Sequence, residues 1–376
     1  MKEKNLRMTA FKALGIIVVV SCHLDENLFN LIGIPITSSR ELFPEYSYHI
    51  PLFIFASGYF YKRIYESDYL TLVKKRFKNI TKYYKANLFY FFLTLVLVGL
   101  GLLEREIHFN LHSIFIEPFL GGFQFYFNGP GWFVPFLFTV RIVFPLTRRF
   151  FSLFVKSFKF GEEKKLLDES IFTIFLCVVG LFAAHFANMY PVQNQDVALF
   201  HAMLRTAWGL QFMQIGLFYK EFVEEHIKYT VKGFVAIVAT KAVFYRIFGY
   251  CTFSLRTVSF NGHTFISLFT SILGILYALY LAEFMCRLAL RFKRKLPELI
   301  NFVGNNTWSI MIHHLLIKWL LTQFADTGIL GNSRELFDYF ISPVLCLVLP
   351  LIFVYICNKV NEKIKENKEL LHIQRS

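Results

Sequence analysis

Apolar residues in this chain gather into ten long runs, centred on residues 12–33, 47–62, 84–103, 129–147, 170–190, 199–219, 231–249, 264–286, 300–321 and 338–357, with short polar stretches between them. Each run is long enough, or nearly so, to carry a helix across a bilayer. The pattern predicts an all-α, polytopic membrane bundle of about ten transmembrane helices. The second run is short, and polar residues interrupt the first and sixth, which suits helices that line a cavity more than helices that face lipid. Neither an internal repeat nor a Gly/Ser-rich linker divides the chain, so residues 1–376 are expected to form a single integral membrane domain without a separate soluble one.

Composition agrees with that reading. Hydrophobic residues make up 55% of the 376 positions, 47 of them Phe, and the mean hydropathy is +0.47, more apolar surface than a water-soluble core of this size would hide. The net charge of +14 would suit nucleic acid, but the bases crowd into alternate loops. That placement points instead to cytoplasmic loops facing anionic lipid, with the bilayer as partner and no nucleic acid. The N-terminus, 62–85, 148–165, 220–232, 287–295 and the tail after Lys359 are the basic segments, and their alternation predicts that both termini are cytoplasmic. Lys2, Lys4 and Arg7 ahead of the first apolar run resemble a signal peptide. No small-residue cleavage site follows, so a retained helix is expected. The six cysteines lack CxxC or metal spacing and read as packing residues.

Candidate chemistry begins in KALGIIVVVSCH, residues 12–23. Eleven steps of about 100° make three turns plus roughly 20°, so Lys12 and His23 share one helix face, separated by about 16 Å along the axis. An imidazole inside a span is costly, and it is a candidate general base, with Lys12 as an anchor for an anionic group. The plainer account is a His bonded to a neighbouring helix and a Lys reaching to headgroups. Asp25 and Glu26 either orient the imidazole or mark a wetter end of the helix. In YHIPLFIFASGYFYKR, residues 48–63, His49 is a candidate for binding a polar acceptor or an interfacial residue beside an aromatic belt. Lys62, Arg63, Lys74, Lys75, Arg76 and Lys78 then form a dense basic run suited to phosphates or to lipid headgroups. Trp132 opens the fourth span and Arg141 lies within it, where it either pairs with a carboxylate such as Glu283 or contacts a substrate oxygen. Arg205, Lys241, Lys318, His185 and His201 carry the same ambiguity. Of His313 and His314, about 100° apart, only one is expected to face a cavity. No zinc spacing, Gly-rich phosphate loop, GxSxG or HExxH appears, so no metal is expected.

Taken in order, these stretches resemble the acyltransferase 3 family of integral membrane O-acyltransferases, over the whole chain. The match rests on a basic residue and His with ten residues between them (Lys12, His23), His-x-Pro-Leu-Phe with Ser-Gly-Tyr (His49, Pro51, Leu52, Phe53, Ser57, Gly58, Tyr59), Gly131-Trp132-Phe133, and Gly304, Asn306, Thr307 and Ile310 leading to His314. Two positions depart from the family: Lys12 stands where Arg is usual, and the Arg-x-x-Arg after the second helix becomes Arg76 followed by Asn79, with Lys78 nearby.

The resemblance implies an O-acetyltransferase-like enzyme of the bacterial cytoplasmic (inner) membrane that moves an acyl group, acetyl by default, from cytoplasmic acyl-CoA to a hydroxyl of a cell-surface or lipid-linked glycan. His23 would be the catalytic base, with a transient acyl-imidazole as the other route. Lys12, Arg63, Arg76, Lys78 and Arg141 would bind the donor, while His49, Trp132 and His314 would meet the substrate. Acyl-CoA (acetyl-CoA) is the expected co-substrate, without a metal, and a second copy of the chain is a candidate partner. No extracytoplasmic esterase-like domain follows the tenth run, so the membrane domain is expected to complete the transfer. A transporter or flippase of a glycan or lipid precursor is the alternative from another class, and a polysaccharide polymerase is a third.

Overall fold

A computed structural model describes residues 3–24, 42–104, 110–120, 126–157, 165–191, 198–291 and 295–373. Its long helices are α1 (Glu3–Cys22), α2 (Glu45–Tyr59), α3 (Tyr69–Gly99), α4 (Phe133–Ser157), α5 (Lys165–Met189), α6 (Ala198–Phe218), α7 (Val231–Phe248), α8 (Thr264–Arg291), α9 (Lys295–Asn305), α10 (Thr307–Asp326) and α11 (Ser342–Ile373). Among the described residues the architecture is all-α apart from one hairpin, in which β1 (Thr252–Ser254) pairs antiparallel with β2 (Ser259–Asn261) in the register Phe253 to Phe260. Four helical stretches among the described residues are long and apolar enough to cross a membrane: Phe127–Phe154, Lys165–Met189, Thr264–Arg291 and Gly331–Ile364. Large apolar side chains face outward along the bundle, as at Phe92 on α3, Ile174 on α5 and Phe353 on α11, an arrangement suited to hydrocarbon and unfavourable in water.

α1 is the central element and packs against α2, α8, α9, α10 and α11. It starts at Glu3, well ahead of the apolar run, because Leu6, Met8, Ala10 and Phe11 are buried with it. The cost of burying Arg7 is met by Glu224 and by Glu283 at 3.3 Å, and its guanidinium lies 4.9 Å from the Tyr229 ring centroid. The outer part of the expected first span, with Asp25 and Glu26, lies outside the described residues.

Close helix crossings depend on glycines where a side chain would strike backbone. A Cβ on Gly58 of α2 would run into the Met213 carbonyl of α6, and one on Gly216 of α6 into the Phe55 carbonyl of α2. The two helices therefore meet at small residues from both sides, as helices in lipid commonly do. α3 begins at Tyr69, capped by the Asp68 side chain accepting from the Thr71 amide at 3.2 Å. The basic run after α2 is thus mostly helical, and its residues are sorted by helix face.

Candidate active site

Lys12, Ile16, Val19 and His23 are spaced by four, three and four residues, which makes a stripe along α1. Two cavities open onto that stripe. The first, about 360 Å³, is lined by Lys12 and Ile16; the second, about 340 Å³, by Val19 and His23. Phe53, Phe133 and Met311 line both.

Four cations surround the first cavity: Lys12 of α1, Arg76 and Lys82 of α3, and Arg141 of α4. Arg76, Asn79 and Lys82 project from one face of α3 because they follow at three-residue steps. Arg141 Nη2 donates to Ser57 Oγ at 2.6 Å, and that hydroxyl donates to the Phe53 carbonyl at 2.9 Å. Lys12 Nζ is 3.5 Å from Asn305 Oδ1, and the Nε of Arg76 is buried without a hydrogen-bond partner among the described residues. Among the described residues, none of the four has a carboxylate partner. Lys12, Arg76 and Arg141 are part-buried and Lys82 is exposed; part-buried cations without counter-charge are expensive, and an anion in this cavity would offset that cost. The first residues of α10, Thr307 and Trp308, also line it and add the positive end of a helix dipole.

The second cavity holds the imidazole. His23 lies just past the last residue of α1, its amide closing a turn on the Val20 carbonyl at 3.1 Å, and its own carbonyl accepts from Lys318 Nζ at 2.7 Å. Lys318 thus caps a helix C-terminus, which resolves its ambiguity without a substrate role. Behind His23, the fully buried His314 ring sits 5.2 Å away between centroids, and its Nδ1 lies 3.0 Å from the Ile310 carbonyl. A neutral ring donating there leaves Nε2 as an acceptor, and that atom has no hydrogen-bond partner among the described residues. His313 turns elsewhere, with Nδ1 2.7 Å from Tyr90 Oη. His49 and Trp132 line this cavity with His23. Trp132 stacks under Arg205, whose guanidinium is 5.6 Å from the ring centroid and donates to the Phe119 and Arg256 carbonyls at 2.9 and 3.2 Å. Arg205 therefore has a structural account.

The hairpin, absent from the sequence expectations, supplies Phe253, Ser254, Leu255, Arg256 and Thr257 to the wall of the second cavity. Its turn forces Val258 to φ 51°, unusual for a β-branched residue, while burying its side chain.

The structure separates the expected donor-binding residues. Lys12, Arg76 and Arg141 share the first cavity, whereas Arg63 and Lys78 line neither cavity. Arg63 is held by Glu169 at 2.9 Å and Glu221 at 2.5 Å, and Lys78 is exposed on the face of α3 away from Arg76. Burial pushes the Glu221 carboxyl up, but the hydrogen bonds and charge of Arg63 hold it below the usual carboxylate range. Glu283 pairs with Arg7 and Arg287, not with Arg141. His314 is packed against His23 outside the lining of the second cavity. Lys82 and Trp308 were missed by sequence reading. The three-residue step from Arg76 through Asn79 was the signal for Lys82, and Trp308 had none beyond its place beside Thr307.

A family model described as an acyltransferase domain, that of the acyltransferase 3 family, matches residues 5–359. No curated protein and no solved structure matches the chain. The chain belongs to the acyltransferase 3 family, as a membrane-embedded transferase of acyl groups.

Proposed function

We propose that this acyltransferase transfers an acyl group, acetyl by default, from cytoplasmic acyl-CoA to a hydroxyl of a cell-surface or lipid-linked glycan. The observation that carries the reading is the cavity ringed by Lys12, Arg76, Lys82 and Arg141, none paired with a carboxylate among the described residues, adjoining a second cavity that contains His23. The phosphates of CoA supply the missing counter-charge. The pantetheine arm then follows the α1 stripe, a distance of about 16 Å from Lys12 to His23, and presents the thioester to the imidazole.

In the transfer step the acceptor oxygen attacks the thioester carbonyl carbon, a C–O bond forms and the C–S bond breaks. His23 takes the hydroxyl proton and returns it to the departing thiolate, which leaves as the free thiol of CoA. The glycan would lie against His49, Trp132 and the hairpin, and His314 would support the His23 ring from behind. The same reading has ten spans with both termini cytoplasmic, in a bacterial inner membrane.

Incubating the full-length protein with labelled acetyl-CoA and a panel of glycans tests it. Label is expected on a sugar hydroxyl, and His23→Ala is expected to remove it from a protein that still folds. Movement of a glycan or lipid precursor that needs no acyl-CoA and survives His23→Ala would overturn the reading in favour of transport.

A further inference from the structure

The two cavities share three lining side chains, from three different helices: Phe53 of α2, Phe133 of α4 and Met311 of α10. The Phe53 and Phe133 rings touch, with centroids 6.0 Å apart at 56°. Phe53 is seated firmly from behind. Its ring lies against α1 at Gly15, where even a Cβ would come within 3.1 Å of Cζ, and its carbonyl is tied through Ser57 to Arg141. Phe133 is backed by Phe136, at 6.1 Å between centroids. Met311 is the unbranched, adaptable member of the set. α1 runs past all three as a continuous wall, with Ile16 on one side of the constriction and Val19 on the other.

We infer that Phe53, Phe133 and Met311 form a constriction that selects the donor by the size of its acyl group. The inference rests on the proposed use of acyl-CoA and goes beyond it by assigning the residues that set donor range. A donor anchored by its phosphates in the first cavity reaches His23 only by passing its acyl end between these side chains. Two of them are aromatic and braced, so the opening widens through Met311 alone. A short acyl group fits without displacing the rings, and each further methylene must move packed side chains. Beyond the three side chains, Val19, Ile50 and Leu315 line the second cavity together with polar groups that include Arg256 and His49, so an acyl chain that passes the constriction meets apolar surface on the α1 side.

Displacement of radiolabelled acetyl-CoA from the full-length protein in nanodiscs, by unlabelled CoA, acetyl-CoA and hexanoyl-CoA, tests this. For the native chain, hexanoyl-CoA is expected to compete about tenfold or more less well than acetyl-CoA, the scale of discrimination that methylenes produce in a fitted pocket. Met311→Ala is expected to bring the two within about threefold, while Met311→Leu, of similar volume, keeps the native ratio. Free CoA, which carries no acyl group, should compete equally in all three proteins. Equal competition by the two thioesters in the native chain, or an unchanged ratio in Met311→Ala, overturns the constriction while leaving the donor reading intact. Failure of every CoA species to bind the folded native chain overturns both. Should Met311→Ala not fold, Phe133→Leu, which shortens a side chain at the same constriction, is read against the same ratio.

Discussion

Arg141 and Arg148 lie two turns apart on the same face of α4, and the protein treats them in opposite ways. Arg148 is surrounded by acceptors: Glu66 at 2.8 Å, Glu169 at 2.6 and 3.0 Å, and Gln214 at 2.9 Å. Glu169 also accepts from Arg63, and Arg63 from there reaches Glu221, so five ionised groups lock α4 and α5 to the turns after α2 and α6. Among the described residues, Arg141 has the Ser57 hydroxyl as its hydrogen-bond partner and shares its cavity with three other cations. One arginine closes a structure and the other leaves a charge unanswered. The difference teaches that a buried guanidinium signals a ligand only where the fold withholds its carboxylate.

Breaking the closed cluster should have the larger effect. Glu169→Gln removes the carboxylate shared by Arg63 and Arg148, and thermal unfolding in detergent is expected to show a loss of about 3–5 kcal/mol, the usual result of stranding a buried charge. Arg141→Met should do the reverse: melting unchanged or raised, because an uncompensated cation is gone, and acyl-CoA binding weaker by about 1.5–3 kcal/mol for the lost charge-assisted contact. A parallel fall in stability for Arg141→Met would erase the contrast.

Acidification sharpens it further. Glu221 is held below its ordinary carboxylate range, so its contribution is complete above the unfolded carboxylate value and is lost as pH falls through the folded one. Melting temperature should therefore be level near neutrality and decline in acid, and Glu221→Gln should flatten that decline. Lys78→Gln is the smallest change expected: exposed and outside both cavities, it should move stability by no more than about 0.5 kcal/mol and leave acyl-CoA affinity as it was.

Part of the candidate site was legible in the sequence. The eleven-residue spacing of Lys12 and His23 survives folding because α1 carries the chain from Lys12 to Cys22 and His23 follows in its closing turn, and both side chains line cavities. Arg63 reads the same as Arg76 in a run of bases. What separates them is Glu169 and Glu221, more than a hundred residues further along the chain. The hairpin was hidden for a different reason: its strands are three residues each, too short to produce an alternating pattern.

The sequence by itself determined a predominantly helical, lipid-compatible chain and a helix stripe joining an ammonium to an imidazole, since hydropathy and a 3.6-residue period are local quantities. Only the tertiary structure decided which cations lack a carboxylate partner among the described residues, that His314 backs His23, and that three side chains from three helices line both cavities. Counter-charge and empty space arise between segments remote in the chain, and no local periodicity encodes them.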